Sequence, residues 1–207
     1  VANDWFLQGW GGATKNMDEG VNDDGSLDEE DFDRLLRLHA GKVKLVAISG
    51  ASNVTGCLNP IHRLAEKAHN AGAKILVDAA QLAPHRAIDM RPDNDPAHLD
   101  FVALSAHKMY APYGTGALIG PISVFAAGTP DLVGGGTVDI VTLDDVRWAS
   151  PPDRDEAGSP NVVGAVALAQ AILSLQEIGM EALAQHEAEL TAHALRRLSA
   201  INGVELY

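Results

Sequence analysis

The sequence predicts an α/β fold in which a mostly parallel sheet is flanked by helices. Three short, largely apolar runs, at 45–49, 74–77 and 101–104, have the length and composition of buried parallel strands. Between the first two lies a segment, 61–68, whose apolar residues recur at helical spacing. Because a strand, a helix and a second strand in this order form a right-handed parallel crossover, we place these runs in one sheet.

The chain begins with a segment, residues 1–25, that shows no clear hydrophobic period and is left without a predicted element. A helix is predicted after it, because Ser26 and Glu29 have the spacing of a capping box. An apolar stripe at helical spacing follows between Phe32 and Leu36. We therefore take residue 26 as the start of the folded core.

The helix between the first two strands has clear signals at both ends. Asn59 is predicted as its cap and Pro60 as its first residue, because proline fits the first helical position. Gly72 is predicted to close it. A further strand is predicted at 117–119.

The second half of the chain is predicted to end in two helices. Residues 121–158 are rich in Gly, Pro and Asp and are expected to be mostly loops. An alanine-rich apolar helix then runs from Pro160 to Ile178. Gly179 interrupts it, and a second amphipathic helix is predicted at 181–200.

The composition is that of a globular protein with an acidic surface. Of 207 residues, 46% are hydrophobic and 21% charged, and the formal net charge is -13. This charge disfavours nucleic acid and anionic membranes as partners, because binding to phosphate relies on Lys and Arg. No apolar run approaches the roughly 20 residues that span a bilayer. The one cysteine permits no intrachain disulfide, so we expect a cytoplasmic protein.

Polar side chains follow two of the predicted strands. Asp78 and Gln81 follow 74–77, and Ser105, His107 and Lys108 follow 101–104. Ligands of open α/β sheets bind outside the carboxyl ends of the strands. An amine that can form a Schiff base, a carboxylate for a ring nitrogen, and hydroxyl and imidazole donors for a phosphate suit pyridoxal 5′-phosphate (PLP). A strand-end Asp or Lys taken alone more often has a structural or solvated role.

Six motifs, in order, carry a resemblance to a known family. They are Ser-Asn-Val-Thr-Gly at 52–56, Val-Asp-Ala-Ala-Gln at 77–81, the run 84–89, Asp-Phe at 100–101, Ser-Ala-His-Lys and its continuation at 105–116, and Glu-Ala-Gly-Ser-Pro-Asn at 156–161. The chain resembles the class V aminotransferases, in the cysteine desulfurase and selenocysteine lyase branch of the fold-type I PLP-dependent enzymes. The resemblance implies a PLP-binding large-domain core at 26–178. Residues 179–207 would lead toward a smaller carboxyl-terminal domain that this sequence does not contain.

The resemblance also implies roles for the strand-end residues. Lys108 would be the catalytic residue, forming the Schiff base with PLP and moving protons. Asp78 would face the pyridinium nitrogen, and Gln81 the phenolic oxygen of the ring. Ser105 and His107 would contact the phosphate.

Two further residues gain roles from the resemblance. Asn53 would lie near the ring oxygen and the substrate carboxylate, with a simple loop cap as the alternative. Ser159 would reach the phosphate of a neighbouring subunit, which implies a homodimer, although Ser159-Pro160 also has the pattern of a helix start.

The implied reaction is conversion of cysteine to alanine and an enzyme persulfide, with an amino acid substrate and a sulfur-acceptor protein as partners. The alternatives are selenocysteine lyase, aminotransferase or epimerase chemistry, and a truncated scaffold without catalytic activity. Cys57 does not match the family's nucleophile, which would lie beyond Tyr207, and is interpreted as a small packed residue.

Other apparent motifs are rejected. A calcium loop at 20–31 would have Gly20 at its first and Asp31 at its twelfth position, where the motif requires Asp and Glu. Gly134-Gly135-Gly136 lacks the spacing and lysine of a phosphate loop. The histidines at 62, 69, 85, 186 and 193 show no metal-ligand spacing, so no metal is predicted.

Overall fold

A computed structural model describes the chain at residues 6–8, 20–22 and 24–206. Its centre is a five-stranded sheet whose strands follow one another in chain order. They are β1 (Phe6–Gln8), β2 (Leu45–Ser49), β3 (Lys74–Asp78), β4 (Phe101–Ser105) and β5 (Gly116–Ile119). The pairs β2–β3 and β3–β4 are parallel, whereas β1 and β5 run antiparallel at the edges. The predicted α/β fold is confirmed, and all three predicted parallel strands lie side by side at its centre.

Helices occupy connections between strands and most of the carboxyl-terminal part. They are α1 (Glu29–Leu38), α2 (Ile61–Asn70), α3 (Ile122–Phe125), α4 (Val162–Ile178) and α5 (Met180–Leu198), and a short 3-10 helix covers Ala106–Met109. The break between α4 and α5 falls at Gly179, as predicted, with a φ of 91° that favours glycine. In the described part of the chain, no single helix has the length and apolarity to cross a membrane. The pair α4 and α5, bent by 74°, meets that test of length and composition only when taken together.

The start of α1 differs from the predicted capping box. Asp28 caps the helix, because its Oδ1 accepts a hydrogen bond from the Asp31 N–H at 2.9 Å. Ser26 lies outside the helix and bonds through its hydroxyl to Asp24 Oδ1 at 2.6 Å. The capping-box prediction is therefore wrong: a carboxylate two residues later takes the free amide.

The start of α2 is also one residue later than predicted. The helix begins at Ile61, and no side chain caps it. Asn59, expected as the cap, donates its amide N–H to the Ser49 carbonyl oxygen at 2.9 Å and so ties the helix start to the end of β2. Gly72 follows the helix with a φ of 76°, the left-handed conformation expected where glycine ends a helix.

The segment 121–158 is rich in loops, as predicted, but it also contains a hairpin. Strands β6 (Val138–Val141) and β7 (Val146–Trp148) pair antiparallel. In the turn between them, the Thr142 hydroxyl oxygen accepts a hydrogen bond from the Asp145 N–H at 2.9 Å. Strands of only four and three residues between glycines and prolines show too little alternation to be recognised from sequence.

The core lies between the sheet and its helices, and its most buried members come from α1, α2 and β3. Burying one such side chain stabilises the fold by about 1.5–3 kcal/mol. α4 lies over β4 and β5, and residues of these three elements line a cavity of about 270 Å³. Among the core side chains, Phe32 of α1, Leu64 of α2, and Ile75 and Val77 of β3 have no measurable exposure.

Candidate active site

Three parallel strands end at the same edge of the sheet, and six of the seven predicted site residues follow them. The register pairs Ser49 with Asp78, and Asp78 with Ala103. The backbone continues this pairing beyond the strands, because the Gly50 N–H donates to the Asp78 carbonyl oxygen at 2.7 Å. The residues at or beyond these strand ends are Asn53, Asp78, Gln81, Ser105, His107 and Lys108.

Asp78 presents an oriented and exposed carboxylate. Its Oδ1 accepts a hydrogen bond from the Ala80 N–H at 2.9 Å, two residues along the chain. Ala79 N–H donates to the Ala103 carbonyl oxygen at 2.9 Å, which fixes the turn after β3. Within the described ranges, no Lys, Arg or His side chain forms an ion pair with Asp78. The carboxylate can therefore accept a hydrogen bond from a cationic ligand.

Lys108 lies in a tightly anchored 3-10 helix but is itself unpaired. Ala106 and Met109 are buried, and the Ala111 N–H closes the turn on the Ala106 carbonyl oxygen at 3.0 Å. Tyr110 ends the turn with a φ of 65°. Lys108 is partly buried, and among the described residues no hydrogen bond or ion pair engages its amine. An amine in a fixed backbone without a carboxylate partner is available to react.

Ser105 and His107 form a pair beside this amine. The Ser105 hydroxyl oxygen lies 2.9 Å from His107 Nδ1. Ser105 is partly buried and His107 is exposed. The contact orients both side chains and leaves His107 Nε2 available, so hydroxyl and imidazole can bind one anionic group together.

Gln81 is linked to a helix that sequence reasoning did not connect with the site. Its Nε2 lies 3.4 Å from His85 Nε2, and His85 Nδ1 lies 2.6 Å from Glu187 Oε1 on α5. The Arg86 guanidinium donates to Glu187 Oε2 at 2.8 Å. Burial raises the pKa of Glu187, but the hydrogen bonds from His85 and Arg86 outweigh it and hold that pKa below its ordinary value. No local pattern signals Glu187, because its partners lie about a hundred residues away.

Asn53 is exposed in the loop after β2. Ser52 caps this loop, because its hydroxyl oxygen accepts hydrogen bonds from the Val54 and Thr55 N–H groups at 3.2 and 3.1 Å. In the part of the chain that the structure describes, no protein group bonds the Asn53 side chain. The loop-cap alternative for Asn53 is therefore wrong, and its amide is free for a ligand.

Ser159 is exposed just before α4, but it does not start that helix. Asn161 is the cap, with its Oδ1 accepting from the Gly164 N–H at 2.9 Å. The Asn161 amide also donates to the Tyr113 carbonyl oxygen at 2.6 Å and so ties this segment to the loop after Lys108. The predicted helix start at Ser159-Pro160 is thus two residues early, and the Ser159 hydroxyl is not used as a cap.

Cys57 occupies a position consistent with packing. It is partly buried, and its thiol lies 3.6 Å from the Asp24 carbonyl oxygen. This contact joins the loop after β2 to the segment before α1.

Comparison with known proteins extends over nearly the whole chain. The family model for aminotransferase class-V matches residues 17–207. A probable cysteine desulfurase of Halalkalibacterium halodurans is 40% identical over 184 residues, which are 89% of this chain and 44% of that protein. The chain thus spans less than half the length of this curated relative.

Solved structures of cysteine desulfurases also match this chain over most of its length. The apo structure of the cysteine desulfurase from Thermococcus onnurineus has a TM-score of 0.79 at 33% identity, over 88% of this chain and 44% of that one. A cysteine desulfurase from Escherichia coli, with the same identity and coverage, has a TM-score of 0.74. The sheet and helices described above are therefore similar to the matched part of these enzymes.

Proposed function

We propose that this chain, which belongs to the aminotransferase class-V family, binds pyridoxal 5′-phosphate and serves in the removal of sulfur from cysteine. The observation that carries the proposal is the placement of Asp78 and Lys108 after adjacent parallel strands, each without an ion-pair partner among the described residues. The similarity to cysteine desulfurases supports the choice of substrate and reaction.

The chemistry of the donor set fits this cofactor. PLP carries an aldehyde, a basic ring nitrogen and a phosphate. The site offers the Lys108 amine and the Asp78 carboxylate, neither of which has an ion-pair partner among the described residues, and the hydroxyl–imidazole pair of Ser105 and His107. Since the chain has a net charge of -13, a phosphate requires such local donors to offset the general repulsion.

Each residue then has a distinct task. Lys108 supplies the amine that binds the aldehyde covalently, and Asp78 keeps a proton on the ring nitrogen by ion pairing. Ser105 and His107 bind the phosphate. An amide has two N–H donors, so Gln81 can face His85 with one and donate the other to the ring oxygen.

The substrate is proposed to be an amino acid held beside these groups. The unpaired amide of Asn53 is available to donate to its carboxylate. When bound, the cofactor supplies an electron sink for charge that develops at the substrate Cα. Once the substrate's own amine has replaced it on the aldehyde, the free Lys108 amine would take the proton from that carbon and return it later.

A homodimer and a sulfur-acceptor protein complete the proposal. Ser159 is exposed and caps no helix, so its hydroxyl is available to a phosphate bound by a second subunit. A thiolate that attacks the sulfur of the bound cysteine would become a persulfide as the C–S bond breaks and the carbon part leaves as alanine. A further thiol is then needed to accept the outer sulfur.

The direct test compares two lysine variants of the full chain. We expect the protein titrated with PLP to develop an absorbance band at the edge of the visible range, which cysteine then shifts. Lys108→Ala should lose both the band and the shift. Lys44→Ala, which removes an exposed lysine before β2, should keep both.

Two results would overturn the proposal. One is the same band in Lys108→Ala as in the unaltered protein, and the other is a protein that binds no PLP at all. A band that forms but responds to no amino acid would instead support the scaffold alternative.

A further inference from the structure

A second cluster of reactive side chains lies at the opposite, amino-terminal end of the parallel strands. Asp100 immediately precedes β4, His98 lies in the loop before it, and His69 is near the end of α2. One ligand atom from each residue lies within 4.8 Å of the other two. Asp100 is buried and both histidines are partly buried. None of these residues takes part in the function proposed above.

Both imidazoles are oriented by a backbone carbonyl at Nδ1. His69 Nδ1 lies 2.7 Å from the Pro96 carbonyl oxygen, and His98 Nδ1 lies 2.7 Å from the Asp95 carbonyl oxygen. A carbonyl oxygen only accepts, so each Nδ1 carries a hydrogen. In the neutral ring the lone pair is then on Nε2, the atom that faces Asp100 in both residues. Histidines that bind metals through Nε2 are commonly held in this way.

The distances from the two Nε2 atoms to the Asp100 carboxylate, each measured to a different oxygen, match a small coordination sphere. His69 Nε2 lies 2.9 Å from Asp100 Oδ2, and His98 Nε2 lies 3.8 Å from Asp100 Oδ1. Metal–ligand bonds of about 2.0–2.1 Å in a tetrahedral site separate neighbouring ligand atoms by roughly 3.4 Å. The two observed distances bracket that value.

We propose that His69, His98 and Asp100 form a binding site for a divalent transition-metal ion of the Zn²⁺ type, with water as the fourth ligand. Two imidazole nitrogens and one carboxylate oxygen suit Zn²⁺ or Co²⁺, whereas Mg²⁺ and Ca²⁺ prefer sites of oxygen alone. The ion would join the end of α2 to the starts of β3 and β4. The site is separate from the Lys108 edge, so it stands whether or not PLP binds there.

Lys74 is the internal competitor for this ion. Its Nζ lies 2.6 Å from Asp100 Oδ1, but its side chain is 49% exposed and is free to turn into solvent. The Ile75 N–H donates to Asp100 Oδ2 at 2.9 Å, which keeps the carboxylate in place when Lys74 leaves. Removing the ammonium should therefore strengthen metal binding, an effect that adventitious surface binding would not show.

The test uses Co²⁺ as a coloured probe, followed by Zn²⁺ displacement, on the full chain without PLP. We expect one Co²⁺ to bind with visible absorbance. His98→Gln should weaken binding about tenfold or more. His62→Gln is the matched control, because His62 Nδ1 also lies 2.9 Å from a backbone carbonyl, that of Ala97, but is not part of the cluster. Lys74→Met should bind the ion more tightly.

Absence of Co²⁺ binding, or equal binding by His98→Gln and His62→Gln, would overturn the proposal. If His98→Gln does not fold, Lys74→Met decides the question alone, because it keeps all three ligands. Unchanged or weaker binding by Lys74→Met would then count against the site.

Discussion

The charged side chains at the two ends of the central sheet differ in their exposure and in their ion pairing. At the carboxyl ends of the strands, Asp78 is exposed and Lys108 is partly buried, and in the described part of the chain neither has an ion-pair partner. At the amino ends, Asp100 is only 4% exposed and is bonded by Lys74, His69 and the Ile75 N–H. One end leaves its charges available, and the other neutralises its charge internally.

The carboxylate of Asp78 is left available for the proposed cofactor, whereas the carboxylate of Asp100 is already stabilised by bonds within the protein. Burial raises the pKa of Asp100, but its bonds to Lys74, His69 and the Ile75 N–H outweigh this effect and lower it. That carboxylate is stabilised whether or not a metal ion binds beside it. Asp78 receives one backbone hydrogen bond and nothing more from the described protein, so its charge stabilises a bound cation instead.

The largest effect is expected at the carboxyl end. Asp78→Asn should still allow PLP to bind but should slow the response to cysteine by roughly two orders of magnitude, because the ring nitrogen loses its proton. Stopped-flow absorbance of the PLP-loaded protein measures this rate. Asp89→Asn is the matched control, because Asp89 is also exposed and also accepts one backbone N–H, that of Arg91. Equal rates for the two variants would contradict the role of Asp78.

At the amino end, the expected effect is on stability and not on the cofactor. Asp100→Asn should lower the free energy of unfolding by about 1–3 kcal/mol, since hydrogen bonds to a buried charged group are lost. The exposed Asp93 provides the control. Urea unfolding measures the change, with PLP binding followed in parallel. Loss of PLP binding in folded Asp100→Asn would break the distinction between the two ends.

A smaller effect tests whether the carboxyl edge is completed by a second subunit. Ser159→Ala should weaken PLP retention roughly two- to tenfold, the value of one hydrogen bond, and only in the dimer. Sedimentation with PLP absorbance shows whether cofactor content follows the dimer fraction. Ser150→Ala, also exposed, is the control. Full retention by monomers would remove Ser159 from the site.

The smallest effect concerns the link from α5 to Gln81. A carboxyl whose folded-state pKa is lowered stabilises the fold above its unfolded pKa, near 4.5 for Glu187, and loses this contribution as pH falls through the lower folded value. Glu187→Gln should therefore be less stable than the unaltered protein at pH 7, with the gap closing as pH falls through the lowered folded-state pKa. Glu189→Gln is the control, because Glu189 bonds only to Gln185 in the described structure. A gap that persists in acid would contradict this origin.

The sequence predicted those parts of the molecule that depend on local patterns. Apolar runs located β2, β3 and β4, and Gly179 located the break between the last two helices. The strand ends then indicated Asp78 and Lys108, because parallel strands end at one edge. The domain boundaries, and the roles given to the site residues by resemblance, stay predictions.

Helix caps and contacts between residues far apart in the chain could not be predicted from the sequence. The helices α1 and α4 begin two residues later than predicted, because the side chains of Asp28 and Asn161 accept the free amide hydrogen bond. The contact between His85 and Glu187 joins residues about a hundred positions apart, which no local pattern shows. His69 lies in one segment, and His98 and Asp100 lie in another about thirty residues later, so their spacing along the chain did not resemble a metal motif.

The assignment of Lys108 as the residue that binds PLP is tested by identifying the lysine that holds the cofactor. Borohydride reduction of the PLP-loaded protein converts the bond between the aldehyde and an amine into a stable one, and peptide mapping then locates it. We expect a single pyridoxyl group on Lys108, even though Lys42, Lys44 and Lys74 are more exposed. A label spread over those lysines, or concentrated on any one of them, would contradict the assignment of the active site to this edge of the sheet.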